Sequence, residues 1–315
     1  IGNFKDAREN AIANTISMRL NGDSGSVYDS QHILAVDTNV FGQSGTGGTE
    51  GSCGFSPSSA SGSHAKDFGA WLSIIPNYAD GSRNRTRTSL TGYHIQYPYS
   101  LAGVMTNLWR GTAAVNSTLL YHGVGAAGGI GFVADSMLST YVVPKNLIAR
   151  IEVEANNEGA KTFADIPQTY DHLELSIYAR TDRANAVDDM YVQFNGDTTA
   201  ANYFSQRLTG TDAAISAASY TNAPFVTTVA AANAAANEFS SGFITLYNYS
   251  KTDRHKHHLS ALGTSVRTGF NSDRWASTAA ITSITLDPAS GSNFLTDTVF
   301  ELRGISAGTP PAAVS

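Results

Sequence analysis

Residues 172–181 alternate polar and apolar side chains without interruption. The apolar positions are Leu173, Leu175, Ile177 and Ala179. Successive side chains of a β-strand point to opposite faces, so this period of two predicts a strand with one buried face. A chain with such a segment must build a sheet and cover one side of it with further apolar residues.

Other segments also predict strands, and the later ones follow one another without a helical spacer. Asn195-Gly196-Asp197 is a strong turn signal between two of them. This arrangement predicts an antiparallel β-sandwich or jelly roll in the second half of the chain. The further predicted strands lie at residues 33–36, 70–75, 139–143, 190–194, 243–249, 281–286 and 299–305.

Two segments of the first half predict short helices. In residues 1–22, Asn3 is the predicted N-cap, and isoleucine or leucine recurs at every fourth position up to Leu20. In residues 100–110, apolar residues recur at helical spacing, and Gly111 supplies the stop. The fold class predicted for the whole chain is therefore mainly β. It combines a C-terminal antiparallel β-sandwich or jelly roll with a β-rich N-terminal domain carrying one or two short helices.

Small and polar residues predict the loops and the domain boundary. Residues 42–49 are almost entirely Gly, Ser and Thr, and residues 209–238 are rich in Ala, Thr and Asn, so both are predicted as loops. A turn cluster at residues 155–159 marks the boundary. The predicted organisation is an N-terminal domain at 1–158, a β-sandwich at 159–306 and a Pro/Ala tail at 307–315.

Composition excludes several classes of protein. The 315 residues include 20 Lys and Arg against 26 Asp and Glu, a net charge of -6, and 42% are hydrophobic. This mixture is unlike a disordered chain, and it lacks the basic surface that sequence-independent nucleic-acid binding needs. No run approaches the roughly 18 apolar residues that would span a bilayer, so we expect no membrane insertion. The single cysteine, Cys53, excludes an intramolecular disulfide.

Three motif-like patterns match catalytic or nucleotide-binding sequences but lack the required context. Residues 123–128 fit G-x-G-x-x-G, yet no helix start and no further βαβ unit follow them. Residues 22–25, with His32 and Asp37, resemble the surroundings of a trypsin-type serine, but in that fold the serine follows both partners. Residues 304–308 match a nucleophile elbow, with too few residues after them to supply an acid and a base.

Metal sites also lack support. His255 and His257 would share one face of a strand, a spacing that suits two zinc ligands. The neighbouring Arg254 and Lys256 would repel a cation, so a solvent-facing strand is the simpler interpretation. The acidic turn residues at 182–189 lack the spacing of an EF-hand.

Three carboxylate pairs have the residue types that glycoside hydrolysis requires. They are Asp188 with Asp189, Glu152 with Glu154, and Asp297 with Glu301. Neighbouring strand residues point to opposite faces, which separates Asp188 from Asp189, and Arg150 favours a surface ion pair with the second set. We therefore assign no catalytic, cofactor-binding or metal-binding residue and predict that the chain is not an enzyme.

Tyrosines are the remaining candidates for a binding surface. Tyr93, Tyr97 and Tyr99 cluster in one segment, and Tyr247 and Tyr249 are spaced to line one face of a strand. Tyrosine rings stack on sugars and are enriched in protein interfaces. These five residues are the predicted glycan or subunit contacts, with core packing as the alternative for each.

The strand pattern of the second half also carries a family resemblance. The segments that carry it are residues 170–183, 189–197, 243–249, 275–286 and 299–305. Together they resemble a β-sandwich domain found at the C-terminal end of many structural proteins of tailed bacteriophages. The resemblance spans roughly residues 163–306 and includes no catalytic motif; it implies a component of the virion.

The expectation that follows is a virion structural protein, either a tail or fibre component or a capsid-decorating protein. We expect its N-terminal domain to contact other virion proteins and to form a homotrimer, and its sandwich to face solvent or host surface glycans. A carbohydrate-binding or polysaccharide-depolymerising module is the alternative function. A secreted monomeric binding protein is a third. Neither a cofactor nor a nucleic-acid partner is expected.

Overall fold

A computed structural model describes residues 2–4, 13–36, 39–57, 69–76, 78–79, 81–94, 100–122, 137–138, 146–212, 214–221 and 225–306. Twenty-two strands are present in these ranges. The first ten are β1 Gly2–Phe4, β2 Ala13–Leu20, β3 Tyr28–Val36, β4 Asn39–Gly48, β5 Gly51–Pro57, β6 Gly69–Ile74, β7 Arg85–His94, β8 Ser100–Trp109, β9 Thr118–His122 and β10 Met137–Leu138.

The other twelve strands belong to the second half. They are β11 Asn146–Glu152, β12 Lys161–Phe163, β13 His172–Ala179, β14 Val187–Phe194, β15 Tyr203–Thr211, β16 Ala214–Thr221, β17 Phe225–Ala230, β18 Ser240–Tyr247, β19 Lys256–Gly263, β20 Arg267–Trp275, β21 Ile284–Pro288 and β22 Val299–Ile305. A single 3-10 turn at Ala200–Asn202 is the only helical element in the ranges described. No helix there is long and apolar enough to cross a membrane.

The strands form two pairs of antiparallel sheets. Strands β1–β10 build a seven-stranded sheet, in the order β10-β1-β6-β7-β8-β3-β4, and a three-stranded sheet, β5-β2-β9. Strands β11–β22 build an eight-stranded sheet, β11-β22-β13-β18-β19-β20-β15-β16, and a four-stranded sheet, β12-β21-β14-β17. The mainly β fold class is confirmed, and we call the two pairs the N-terminal and C-terminal sheets.

The C-terminal sheets enclose a large apolar core. The alternation predicted from residue 172 onward is confirmed, because Leu173, Leu175 and Ile177 of β13 are fully buried. They meet residues of the four-stranded sheet such as Val192 and Phe194 of β14. The two sheets therefore pack face to face in the manner of a sandwich.

The change from one pair of sheets to the other falls between β10 and β11. Strand β11 already pairs with β22, so residues 146–152 belong to the C-terminal sheets. The change between the two pairs of sheets therefore comes before residue 146, earlier in the chain than the predicted boundary between residues 158 and 159. The turn cluster at residues 155–159 does form a turn, but it connects two strands of the same unit.

The helix predicted for residues 1–22 is wrong where the structure describes that segment. Strands β1 and β2 stand there instead, and Ile16, Met18 and Leu20 of β2 are buried at alternate positions. An apolar repeat of four satisfies a period of two as well as a helical period, because four is a multiple of two. Met18, two residues from both Ile16 and Leu20, completes an apolar period of two, and this period favours a strand.

The second predicted helix is also wrong, because residues 100–109 form β8, near the middle of the seven-stranded sheet. Both faces of β8 are covered. Met105 and Trp109 face the three-stranded sheet, while Thr106 faces the C-terminal sheets and lies 2.8 Å from Thr268, Oγ1 to Oγ1. A strand buried on both faces loses its alternation, so its apolar run matches helical spacing by chance.

Both predicted loops contain strands. Residues 42–48 lie in β4, the edge strand of the seven-stranded sheet, and the segment 209–238 contains the end of β15 and all of β16 and β17. Strands β4 and β16 are mostly exposed edge strands rich in small residues, and their few large apolar residues do not alternate with polar ones, so no sequence pattern marks them as strands. Their backbone hydrogen bonds to a neighbouring strand define them instead.

A polar seam joins the two pairs of sheets. Strand β7 lies against the C-terminal sheets, and two of its threonines donate hydrogen bonds to backbone carbonyls there: Thr86 to Phe239 and Thr88 to Ser241, the latter at 2.9 Å. Close packing adds to these bonds, since a Cβ atom on Gly210 of β15 would lie 2.6 Å from Cγ1 of Ile33 in β3.

Arg83 closes one end of the seam. Its Nη2 donates to Glu152 Oε1 at 3.1 Å and to Asp297 Oδ1 at 2.6 Å, both from the C-terminal half. The Arg83 side chain is largely buried, whereas both carboxylates are partly exposed. Side-chain hydrogen bonds, a bridging cation and close backbone packing thus join the two halves.

Candidate binding surface

The outer face of the eight-stranded sheet is covered at one end and open at the other. At the covered end, Ser241, Thr268 and Tyr178 lie buried beneath the N-terminal sheets, and the Tyr178 hydroxyl donates to Asn84 O at 2.6 Å. At the other end, His257 and Tyr247 point outward and are exposed. The open end is the candidate binding surface.

Five aligned side chains cross this open end. Strand register places Phe204, Arg274, His257, Tyr247 and His172 opposite one another on the adjacent strands β15, β20, β19, β18 and β13. Five strands spaced by about 4.8 Å make a row roughly 19 Å long. We call this set the aromatic–basic row.

Two pairs of neighbours within the row are in direct contact. The Arg274 guanidinium carbon lies 4.3 Å from the centre of the Phe204 ring, a cation–π arrangement. The rings of His172 and Tyr247 meet edge to face, with 5.4 Å between their centroids. These contacts hold flat rings and a cation in fixed positions on the sheet.

A shallow pocket of about 260 Å³ opens at the β16 end of the row. Phe204, His257 and Arg274 of the row line it. The other lining residues carry mainly hydroxyl, amide or carboxylate groups: Ser205, Gln206, Ser219, Tyr220, Thr221, Ser272 and Asp273. The pocket therefore combines an aromatic ring and a cation with many hydrogen-bonding groups.

Charge in the pocket is positive. The ion pairs found within the described ranges do not include Arg274. Burial lowers the pKa of His257, and the charges of Arg274 and His255 lower it further, so this imidazole is neutral near pH 7. Asp273 points to the other face of the sheet, where its Oδ2 lies 2.8 Å from His258 Nε2.

Buried polar contacts support the row from the inner face. Ser205 donates to the second oxygen of Asp273. The Trp275 indole donates to Asp197 Oδ2 at 2.8 Å. Lys256 donates to three backbone carbonyls, including Arg254 O at 3.0 Å and Thr278 O at 3.1 Å. Such networks fix the strands whose outward residues form the row.

The five predicted tyrosines have different outcomes. Tyr247 belongs to the row and is 40% exposed. Tyr249 is fully buried, and its hydroxyl donates to Pro167 O, so it packs in the core and does not share the exposed face of Tyr247. The left-handed φ of 53° at Asn248 ends the alternation between them. Tyr97 and Tyr99 lie outside the described residues, as does the side chain of Tyr93.

The groups of the serine-protease-like pattern have structural roles where they are described. Asp23 Oδ2 accepts from the Trp109 indole at 2.8 Å, and its other oxygen accepts from Gly25 N at 2.9 Å. Burial lowers the pKa of His32 to about 4 and raises that of the Cys53 thiol to about 11. Neither group is poised for proton transfer or nucleophilic attack near pH 7. Asp37 and residues 123–128 lie outside the described residues.

Five of the six carboxylates singled out from the sequence accept hydrogen bonds in the structure. Asp188 is fully buried and accepts from Thr181 Oγ1 and Gly291 N, both at 3.0 Å. Asp189 binds Arg207 and Arg267. Glu152 and Arg150 form the expected ion pair at 2.8 Å.

Metal-binding groups are separated as well. His255 precedes β19, and the next two histidines of that strand point to opposite faces. Asp182 accepts from Ser292 N and Asn293 N at 2.8 and 3.1 Å, so its loop is closed by protein donors. Across the described ranges, no cluster of three or more His, Cys, Asp or Glu side chains could hold a metal ion.

Most of the row does not follow from the sequence pattern. That pattern singles out Tyr247 as a contact residue and His257 as a possible metal ligand, and it leaves out Phe204, Arg274 and His172. His172 lies at an outward position of the alternating strand β13, which is a detectable signal, whereas β15, β19 and β20 do not alternate polar and apolar residues. The alignment of the row depends on strand order in the sheet, which links residues 172 and 274 across three strand pairings.

Comparisons with known proteins add no relative. No protein-family model matches the chain, and no curated protein or solved structure is significantly similar to it.

Proposed function

We propose that this chain is a non-enzymatic structural component of a tailed-bacteriophage virion, and that the aromatic–basic row is its contact surface for host glycans. The resemblance of residues 163–306 to phage sandwich domains supports the virion role. The observation that carries the glycan contact is the open end of the eight-stranded sheet. There, aromatic rings lie beside hydroxyl and amide groups, the combination that binds sugar rings.

The polar seam suits a protein that must present one face outward. It anchors the C-terminal sheets to the N-terminal sheets at the covered end and leaves the row at the opposite end. The N-terminal sheets are then the side that contacts other virion proteins. In this arrangement the row faces solvent on the assembled particle.

The proposed homotrimer would use the exposed edge strand β4. Val40 and Phe41 of β4 are both exposed, and only one side of this strand pairs within the described sheet. An uncovered edge with apolar side chains favours association with another chain. Light scattering after size exclusion at two concentrations tests this: a mass of three chains that survives dilution is expected, and a stable monomer would contradict it.

The virion role is tested by sedimentation. An antibody raised against the purified chain should detect it in DNA-containing particles banded on a density gradient from the source culture. Detection only in the soluble fraction, with other particle proteins present in the band, would contradict the proposal.

The glycan contact is tested on a glycan array with the purified chain. Tyr247→Ala should abolish the signal, while Tyr78→Ala, which removes another exposed tyrosine from the N-terminal half, should leave it unchanged. Equal loss in both variants would exclude the row as the contact surface.

The alternative function is a carbohydrate-binding or polysaccharide-depolymerising module acting apart from a particle. The same row favours it, since a sugar-binding face does not require a virion. A release of reducing ends from a bound polysaccharide would identify the depolymerising form and would contradict the non-enzymatic proposal. Binding without cleavage, by a chain absent from particles, would identify the binding module.

A further inference from the structure

The pocket at the β16 end of the row holds a cation whose charge is not balanced locally. Arg274 forms no ion pair with any carboxylate in the described part of the chain. The acidic residue of the pocket lining, Asp273, points its carboxylate to the opposite face, where it contacts His258 and accepts a hydrogen bond from Ser205. Glu174, on the same face, lies three strands away on β13, at about 14 Å.

The guanidinium is held in a defined orientation. It lies over the Phe204 ring, and its Nε atom is buried, so rotation of the group is restricted. A guanidinium stacked on a ring keeps its edge free for two parallel hydrogen bonds, which match the two oxygens of a carboxylate. Phe204 is thus a positioning residue for Arg274.

The rest of the lining suits a polyhydroxylated ring. Gln206, Ser219, Thr221 and Ser272 can donate or accept hydrogen bonds, and the neutral His257 can do both. The pocket volume of about 260 Å³ is slightly below the range of about 300–1,000 Å³ that is typical of pockets for drug-sized ligands. The pocket therefore suits a smaller ligand, such as a single sugar ring.

We propose that this pocket binds the carboxylate-bearing ring of an acidic saccharide, with Arg274 pairing with the carboxylate and the hydroxyl and amide groups contacting the ring hydroxyls. This inference rests on the proposed glycan contact and narrows it to acidic sugars. Two observations carry it: Arg274 stacks on Phe204, and the one carboxylate of the described pocket lining, that of Asp273, is turned to the opposite face and held there by His258 and Ser205.

The test is calorimetric titration of the full chain with three acidic sugars: oligogalacturonate, glucuronate and N-acetylneuraminate. Each is compared with its methyl ester, which keeps the ring and removes the charge. At least one acid should bind on the order of tenfold more tightly than its ester, because charge-assisted bidentate bonds are about twice as strong as neutral ones.

Variants locate the effect. Arg274→Gln should weaken binding of the acid on the order of tenfold and remove the difference between acid and ester. Arg303→Gln is the matched control, because Arg303 lies on the same face of the sheet but four strands away, at about 19 Å. It removes the same charge and should change the affinity by less than about twofold. Unfolding midpoints of both variants establish that each is folded.

The inference would be overturned by equal affinity for acid and ester, by equal weakening in Arg274→Gln and Arg303→Gln, or by no binding of any of the three acids. Inorganic phosphate that displaces the acid at equal concentration would also overturn it, since the site would then be a general anion site. Neutral glycans that still bind through Tyr247 would leave the proposed glycan contact standing while this inference fails.

Discussion

The two pairs of sheets are both antiparallel, but they fill their interiors differently. The C-terminal sheets enclose one large cluster of apolar side chains, including the edge-to-face pair Phe294 and Phe300. The N-terminal sheets have a smaller apolar cluster, and buried beside it lie Arg85, Arg87 and His32. The stability of the C-terminal sheets therefore depends mainly on apolar burial. The stability of the N-terminal sheets also depends on satisfying buried polar groups.

Phe300→Ala should cause the largest loss of stability. Phe300 is fully buried and packs against Phe294 with 5.1 Å between ring centroids. Removing such a ring from an apolar core lowers the free energy of unfolding by about 3–5 kcal/mol. Urea unfolding measures this, and a loss below about 1 kcal/mol would show that the cluster is not well packed.

His32 should make the N-terminal sheets sensitive to acid. Its pKa is lowered from 6.5 to about 4 by burial, with a further contribution from Arg87. The unfolded state therefore binds the proton more readily, so this contribution to stability is complete above pH 6.5 and is lost as the pH falls toward 4. The full loss is on the order of 3 kcal/mol.

The measurement is urea unfolding at pH 7 and pH 4.5 in the wild type and in His32→Gln. The wild type should lose more stability on acidification than the variant, whereas the exposed His255→Gln should behave as wild type. If acidification affects wild type and His32→Gln equally, His32 is not the acid-sensitive group.

Arg87→Leu tests whether the polar core contributes stability. Arg87 Nη2 donates to Gly51 O at 3.3 Å, to Ser52 O at 3.1 Å and to the Asn107 side chain. Burial lowers the pKa of Arg87, a sign that its charge is poorly solvated. The unpaired acceptors should lower the free energy of unfolding by about 1–3 kcal/mol.

If Arg87→Leu leaves the free energy of unfolding unchanged or raises it, the buried polar groups of the N-terminal sheets do not add stability. This result would mean that the desolvation cost of the guanidinium exceeds the value of its hydrogen bonds. Arg87→Lys provides a second measurement, because lysine keeps the charge but not the planar set of donors.

Thr88→Val should have the smallest effect and should act on the seam. The substitution keeps the shape of the side chain but removes the donor to Ser241 O, at a cost of about 1 kcal/mol. Thr162→Val is the matched control, since the Thr162–Thr285 bond is exposed and its loss should cost less than about 0.5 kcal/mol. Equal effects of the two variants on the unfolding midpoint would show that the seam adds no stability.

The comparison also explains which predictions from sequence succeeded. Strands with one buried face, such as β13 and β22, were predicted because their side chains alternate. Strand β8 was mistaken for a helix because both of its faces are covered, and β4 and β16 were mistaken for loops because their small side chains are largely exposed. Polar and apolar residues alternate only along a strand that has one buried and one exposed face. Strands with both faces buried, or with both faces exposed, therefore lack the pattern that predicts a strand.

The candidate site was even less accessible to sequence reasoning. The spacing of Tyr247 and Tyr249 predicts that they share one exposed face, but the turn at Asn248 leaves only Tyr247 on the surface. Phe204 and Arg274 are distant in sequence and meet only because β15 and β20 are neighbours in the sheet.

The amino-acid sequence by itself determined the mainly β class, the alternating strands of the second half and the use of Asp and Glu in local ion pairs such as Arg150–Glu152. These depend on the period of side chains along a strand and on contacts between near neighbours. The tertiary structure alone decided the order of strands, the seam through β7 and the alignment of the aromatic–basic row. Such features arise from pairing between distant strands, and no local pattern encodes which distant strand will lie alongside.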